Sequence, residues 1–445
     1  MTEYWCEFAW LGGDTAVEGV VVEITGELIT AVSRAATCPP GAERLSGLTL
    51  PGLANAHSHA FHRALRSRTQ VGTGSFWTWR DQMYELARTL NPQSYHRLAR
   101  AVFGEMALAG ITTVGEFHYL HHGERGTPYA DPNAMSEALM AAAGEAGIRI
   151  TLLDACYLHG GIGTPPNEVQ QRFSDGSAEA WAVRTQDALE RFTTPISRVG
   201  AAIHSVRAVD SPSMRTVAEW AAERALPLHA HVSEQKSENE ECIAKLGLTP
   251  VGLLAEQGVL GLSFTAVHAT HLSGVDIDLL GVNGSTICMC PTTERDLADG
   301  IGPAAGLVLA GARLALGSDS HAVIDLFEEA RAVELDERLA TNVRGQHTAS
   351  SLLRAATAEG QSSLGWHEMV GIAVGAPADL VTVSLDGVRT AGTTVDHALE
   401  AAVFAAGATD VRQVMVGGRV IVRDGRHLGF DVTAELAEVL AGPRT

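Results

Sequence analysis

At 445 residues, 46% of them hydrophobic and 19% charged, the chain is long enough for a large barrel with a smaller appendage and carries enough apolar residues for a sizeable core. A formal charge of -20, with 32 Lys and Arg against 52 Asp and Glu, excludes nucleic acid and anionic membranes as partners, because binding phosphate requires clustered cations. An anionic small-molecule substrate remains open, provided that a few local arginines capture it. No basic-then-apolar leader begins the sequence, and no apolar run reaches the roughly 20 residues that span a bilayer, so a cytoplasmic protein is expected.

Taken in chain order, residues 1–49 show short Val/Ile alternation, as in Val20-Val21-Val22-Glu23-Ile24 and Leu28-Ile29-Thr30-Ala31-Val32, the pattern of a small β domain. From residue 50 to 370, short apolar runs alternate with helical stretches. Strands are expected at 49–56, 111–117, 148–154, 199–206, 227–232, 265–269, 285–289 and 313–318, and helices at 95–109, 134–146, 178–191 and 213–223. Eight strands in βα alternation predict a (β/α)8 barrel. An open doubly wound sheet is the alternative, but no Gly-rich phosphate loop follows any strand. Strand character returns within 371–445, in 378–383 and 413–422, so both chain ends are expected to build one β-sandwich domain. The long segment 59–95, rich in Arg, Trp and Thr, is large enough to cover an active site. Six scattered cysteines show neither zinc-finger spacing nor disulfide density and read as buried free thiols.

Barrel enzymes carry their chemistry at the C-terminal ends of strands. His57 and His59 lie one residue apart after the first strand, so alternation points both imidazoles to one face. His204 follows the fourth strand, His229 and His231 lie on the fifth, His268 closes the sixth and Asp319 the eighth. Imidazoles and a carboxylate converging in this way suit a divalent cation. For His229 a hydrogen-bonding core role is expected. Glu234, three residues beyond His231, is placed to act as a general base on a water at that cation. Arg207, three residues past a strand end, and Arg80 in the long loop suit a carboxylate-bearing substrate, whereas Trp77 and Trp79 read as loop packing. Only two lysines occur, Lys236 and Lys245, both after His231. No earlier-strand lysine can bridge two cations, so one is expected.

The motifs Pro51-Gly52-Leu53-x-Asn55-x-His57-x-His59, His231-x-x-Glu234, His268 and Ser318-Asp319-Ser320, with Gly375-Ala376-Pro377-Ala378-Asp379-Leu380-Val381, resemble the deaminase branch of the amidohydrolase superfamily. The runs His57-Ser58-His59-Ala60-Phe61, Phe76-Trp77-Thr78-Trp79-Arg80, Gly115-Glu116-Phe117-His118-Tyr119, His204-Ser205-Val206-Arg207 and Cys290-Pro291-Thr292-Thr293-Glu294-Arg295 are similar to those of the formimidoylglutamate deiminases of histidine degradation. The resemblance implies one Zn2+ per chain, with Fe2+ or Mn2+ as alternatives, held by His57, His59, His231 and Asp319. It implies Glu234 as general acid/base, helped by His268 and Asp319, and Arg80, Tyr119, His204 and Arg207 as substrate-binding residues. His62 stands where that family is expected to carry a substrate-binding glutamine.

The implied reaction is hydrolytic deamination of N-formimidoyl-L-glutamate to N-formyl-L-glutamate and ammonia. A purine or triazine deaminase or chlorohydrolase of the same superfamily is the first alternative, and a non-catalytic barrel scaffold the second. A homodimer is the expected assembly.

Overall fold

The computed structural model describes residues 1–441. Pro51 and Gly52 divide the chain between two sheets. The apolar run expected as one strand is two: β4 (Glu43–Pro51) ends one sheet and β5 (Leu53–Ser58) begins the other. Proline offers no N–H to continue the ladder, and a Cβ on Gly52 would lie 2.1 Å from the Thr112 Oγ1.

The first sheet joins both chain ends. Strands β1 (Thr2–Ala9), β2 (Val17–Thr25), β3 (Leu28–Arg34) and β4 combine with β13 (Leu380–Val383), β14 (Val411–Val416), β15 (Arg419–Arg423) and β16 (Arg426–His427). Their order is β16-β15-β14-β13-β4-β1-β2-β3, with β1 and β4 parallel and the other neighbours antiparallel. The opening strand β1 lacks polar–apolar alternation, because Tyr4, Trp5 and Cys6 are consecutive and all buried.

The second sheet is parallel and runs in chain order: β5, β6 (Ile111–His118), β7 (Arg149–Cys156), β8 (Ser197–Ile203), β9 (Leu228–Val232), β10 (Phe264–His268), β11 (Thr286–Met289) and β12 (Arg313–Leu316). Every residue of β5, β6 and β7 is buried, as expected for strands covered by neighbours on one face and helices on the other. A parallel bridge between Ser58 and Asp319 brings the two edges together. The Asp319 N–H donates to the His57 carbonyl at 3.0 Å, and the His59 N–H donates to the Asp319 carbonyl at 3.2 Å. The Asn55 side chain clasps the seam, donating to the Ser318 Oγ at 2.7 Å and accepting from the Ser318 N–H at 2.9 Å. The result is the expected TIM-type barrel.

Local chemistry sets the helix ends. Asn91 caps the helix Pro92–Leu108 with Pro92 in its first turn, and Gly147, at φ 78°, terminates Ala134–Ala146. The segment between β5 and Pro92 folds as a 3-10 turn (Ala60–Leu65) and a helix (Phe76–Thr89) over the barrel mouth. Arg149 and Asp379, both buried, tie barrel to end sheet through paired bonds of 2.9 and 3.0 Å. Among the described residues, no helix is long and apolar enough to cross a membrane.

Replacing Asn55 by Ala strands the buried Ser318 N–H while leaving the hydroxyl to His321, and is expected to destabilise the fold by about 1–3 kcal/mol. Urea denaturation of wild type and N55A measures the difference.

Candidate active site

Three imidazoles and one carboxylate meet at the barrel mouth. His57 and His59 extend from the end of β5, His231 from β9, and Asp319 from just beyond β12. The His231 Nε2 lies 3.2 Å from the His57 Nε2 and 3.3 Å from the His59 Nε2. The Asp319 Oδ1 is 3.3 Å from the His57 Nε2 and 3.4 Å from the His59 Nε2. Gly317 permits this approach, since a Cβ there would meet the His57 Cβ at 2.7 Å.

The rings are aimed by their other nitrogens. The His59 Nδ1–H donates to the Phe117 carbonyl at 2.9 Å, and the His231 Nδ1–H to the His204 carbonyl at 2.8 Å. With those protons committed, both Nε2 atoms present lone pairs to each other with no hydrogen between them. Such an arrangement calls for a cation at the centre. Burial, reinforced by neighbouring imidazoles, holds His57, His59 and His231 below the usual histidine range. Burial opposes ionisation of Asp319, but the hydrogen bond to His57 and the charge of protonated His268 more than offset it and keep the carboxyl well below the usual range. Neutral imidazoles and an ionised carboxylate are the ligand forms a divalent cation requires. The four ligand atoms lie within 4.8 Å of one another, so the residues present fit one such ion.

His268 and Glu234 stand beside this cluster. The His268 Nε2 is 3.7 Å from the Glu234 Oε1 and 3.9 Å from the Asp319 Oδ2, while its Nδ1 faces the Glu294 Oε1 at 3.3 Å. Burial disfavours a charged ring, yet Glu234, Glu294 and Asp319 together hold His268 protonated, well above the usual range. Burial pushes Glu234 up to about 7 against the pull of His268, which suits a group that takes and returns a proton near neutrality. Backbone strain gathers here: His268 at φ 68°, Asp319 at 40° and Ser233 at 52° all occupy the left-handed region.

A cavity opens over the cluster. His59, His231, Glu234, His268 and Asp319 form its floor, and Arg80, Tyr119, His204, Arg207 and His62 line its walls, so every expected substrate-binding residue reaches the same space. The His62 Nε2 lies 2.9 Å from the Tyr119 hydroxyl. The Arg207 Nε donates to the Glu238 Oε2 at 2.9 Å. Arg80 is half-buried and, among the described residues, has no acidic partner within 4.0 Å; its guanidinium stacks on Trp77 at 4.4 Å. Trp79 packs against His62 and Phe76, in keeping with the packing role expected for it, and its ring also lines the cavity. His229 donates to the Ser363 carbonyl at 2.9 Å, the expected core role, and Cys288 and Cys290 pack with Ala56, Val267 and Ala315.

Sequence reasoning missed Tyr84, Tyr157 and Phe173 in the cavity wall and Glu294 behind His268. Only the run Cys290-Pro291-Thr292-Thr293-Glu294-Arg295 carried a signal, for Glu294. A second group of metal-type side chains, His118, His121 and Asp154, is also buried. Its carboxylate is already committed: Asp154 receives two bonds of 2.8 Å from Arg184, with Trp181 at 3.0 Å and Thr185 at 3.2 Å. The adjacent guanidinium charge opposes a dication there.

Comparison with known proteins agrees with this geometry. Residues 48–421 match the model of the amidohydrolase family. The chain belongs to that family. A formimidoylglutamate deiminase of Pseudomonas aeruginosa is 38% identical over 427 residues, 93% of each chain. An 8-oxoguanine deaminase of the same organism is 29% identical over 440 residues, 96% of this chain and 93% of its own. The crystal structure of an amidohydrolase from Brucella melitensis superposes with a TM-score of 0.91 at 32% identity, covering 99% of both chains.

Glu116 holds the turn between the ligand strand and the long loop, as is natural in an amidohydrolase barrel whose mouth carries the chemistry. Its Oε2 accepts from the Ser58 hydroxyl at 2.6 Å and its Oε1 from the Ala60 N–H at 2.7 Å, and burial pushes it up to about 8. A carboxyl whose folded value exceeds its unfolded one stabilises the fold at low pH and loses that contribution as pH rises through the folded value. In metal-free protein, thermal denaturation from pH 5 to 9 should therefore show a Tm that falls more for wild type than for Glu116→Gln. Parallel curves would contradict this.

Proposed function

We propose that this protein is a metal-dependent formimidoylglutamate deiminase, acting in histidine degradation on N-formimidoyl-L-glutamate. The observation that carries the reading is one cavity that joins a hydrolytic floor to an arginine, Arg80, with no acidic partner among the described residues. The 38% identity to a deiminase of that name supports it. Two arginines on the cavity wall supply the local positive charge that a dicarboxylate needs in a chain of net charge -20.

His57, His59, His231 and Asp319 would hold the cation, with zinc favoured by three imidazoles and one carboxylate, and iron or manganese as alternatives. When bound, such a cation polarises the reacting group and lowers the pKa of water toward about 7. Glu234 takes the proton of the attacking water as the C–O bond to the formimidoyl carbon forms. It delivers that proton to the terminal nitrogen as the C=N pair moves onto it, giving an adduct with a hydroxyl and an amine on one carbon. The remaining hydroxyl proton then passes to the same nitrogen by way of Asp319, the C=O forms, the C–N bond breaks, and ammonia leaves with N-formyl-L-glutamate as the other product. Protonated His268 donates toward the reacting centre, and Asp319 orients the water. Arg80, Arg207, Tyr119 and His204 hold the glutamate portion so that the carbon stays within reach. His62, bonded to Tyr119, takes part through that hydroxyl.

A purine substrate is the second reading, favoured by the ring-rich walls. Phe76, Trp79, Tyr84, Tyr119, Tyr157 and Phe173 all line the cavity, so the scarcity of aromatics in the whole chain does not describe the site. Ammonia release by metal-loaded protein decides between them. Turnover of N-formimidoyl-L-glutamate should exceed that of guanine, 8-oxoguanine, adenosine and S-adenosylhomocysteine; purine turnover without formimidoyl turnover overturns the first reading. Glu234→Gln should lower kcat by about 10²–10⁴ with little change in KM.

A further inference from the structure

The wall of the cavity carries a hydrogen-bond device that the mechanism above does not use. Tyr84, on the helix Phe76–Thr89, and Tyr157, immediately after β7, both present their rings to the cavity. Behind them lies Gln170, 3% exposed, on the turn Gln170–Phe173. The Gln170 Oε1 accepts from the Asn167 N–H at 3.0 Å, which fixes the amide orientation. Its NH2 group therefore faces the phenols and donates to the Tyr84 hydroxyl at 3.0 Å and the Tyr157 hydroxyl at 2.8 Å.

A phenol oxygen that accepts from an amide still has its own proton to place. The Tyr157 hydroxyl has the Tyr84 hydroxyl beside it as an acceptor, but because the amide donates to both oxygens, the pair keeps at least one proton to send into the cavity. Burial also pushes the Tyr157 hydroxyl above the usual tyrosine range, so it stays a donor. The Arg80 guanidinium lies 5.5 Å from the centre of the Tyr84 ring. From the ligand cluster, Tyr157 is reached in two ring-to-ring steps, 5.1 Å from His231 to His204 and 4.5 Å from His204 to Tyr157. Donors thus collect at a stand-off from the reacting centre.

We propose that Gln170 is a positioning residue that makes the Tyr84–Tyr157 hydroxyl pair donate into the cavity, where with Arg80 it holds one carboxylate of the substrate away from the metal cluster. The proposal rests on the dicarboxylate reading above. It makes specificity depend on a buried amide that does not touch the substrate: an amide donor leaves the phenols free to donate outward, whereas an acceptor in its place would draw their protons inward.

Gln170→Glu keeps the shape and reverses the hydrogen-bond direction, and the Tyr84→Phe/Tyr157→Phe double variant keeps both rings without their hydroxyls. Binding of N-formyl-L-glutamate to the metal-loaded enzymes, measured by calorimetry, and steady-state kinetics on N-formimidoyl-L-glutamate form the test. Each variant should weaken binding and raise KM by about tenfold or more, the effect of losing hydrogen bonds to a charged group, while kcat changes by less than about threefold. Adding Gln170→Glu to the double phenylalanine variant should cost little more, because the amide acts through the hydroxyls. An equal loss in both backgrounds would mean that the new carboxylate merely repels the ligand, and would overturn the proposal. Unchanged binding in the double variant would do the same, as would a fall in kcat at constant KM. If wild type binds N-formyl-L-glutamate more tightly than the variants yet does not turn over the formimidoyl compound, the proposed reaction fails and the tyrosine subsite stands. If wild type binds no dicarboxylate, both fail.

Discussion

The pairing of the Asp319 backbone with His57 and His59 is the constraint on which the rest depends. The same two hydrogen bonds that close the barrel place the carboxylate of the last strand against the imidazoles of the first. A parallel barrel has no free edge once closed, so its register at the seam is fixed by the pairing around the whole ring. Asn55 reinforces that register from one side and Gly317 allows it from the other, by leaving the space that the His57 Cβ requires. His231 completes the set because the short strand β9, paired between β8 and β10, ends at the mouth and its ring is aimed by a carbonyl of the neighbouring strand end.

Burial then gives each group its protonation state. Three buried imidazoles stay neutral, and the one carboxylate facing them stays ionised. One step away the balance inverts. His268 sits among three carboxylates and holds its proton, and Glu234 is buried enough to titrate near neutrality. Pairs of groups driven in opposite directions by their surroundings are how one pocket does both acid and base work. For the anionic substrate proposed above, the net charge of -20 gives the arginines of the wall particular weight, since such a ligand is attracted by local charge against the field of the whole molecule.

Much of this was legible in the sequence, for physical reasons. Strands buried on both faces produce the apolar runs that mark the barrel, and the rule that chemistry sits at strand ends brought His57, His59, His231, His268 and Asp319 together before any coordinates. What escaped notice depended on three-dimensional neighbours. The run 49–56 reads as a single strand because sequence periodicity does not reveal that Pro51 and Gly52 change sheets. Tyr84, Tyr157 and Gln170 come from a long loop and the segment after β7, where no period links them. The group His118, His121 and Asp154 shows the converse: ligand-type residues in proximity, whose carboxylate is already committed to Arg184.

The central claim is a single cation held at the seam by His57, His59, His231 and Asp319. Elemental analysis of purified wild type and of Asp319→Ala, each confirmed as folded by circular dichroism, tests it most directly. The account predicts one divalent transition-metal ion per chain in wild type, and loss of that ion together with ammonia release in the variant. Two ions per chain in wild type, or full metal content and activity in the variant, would contradict it.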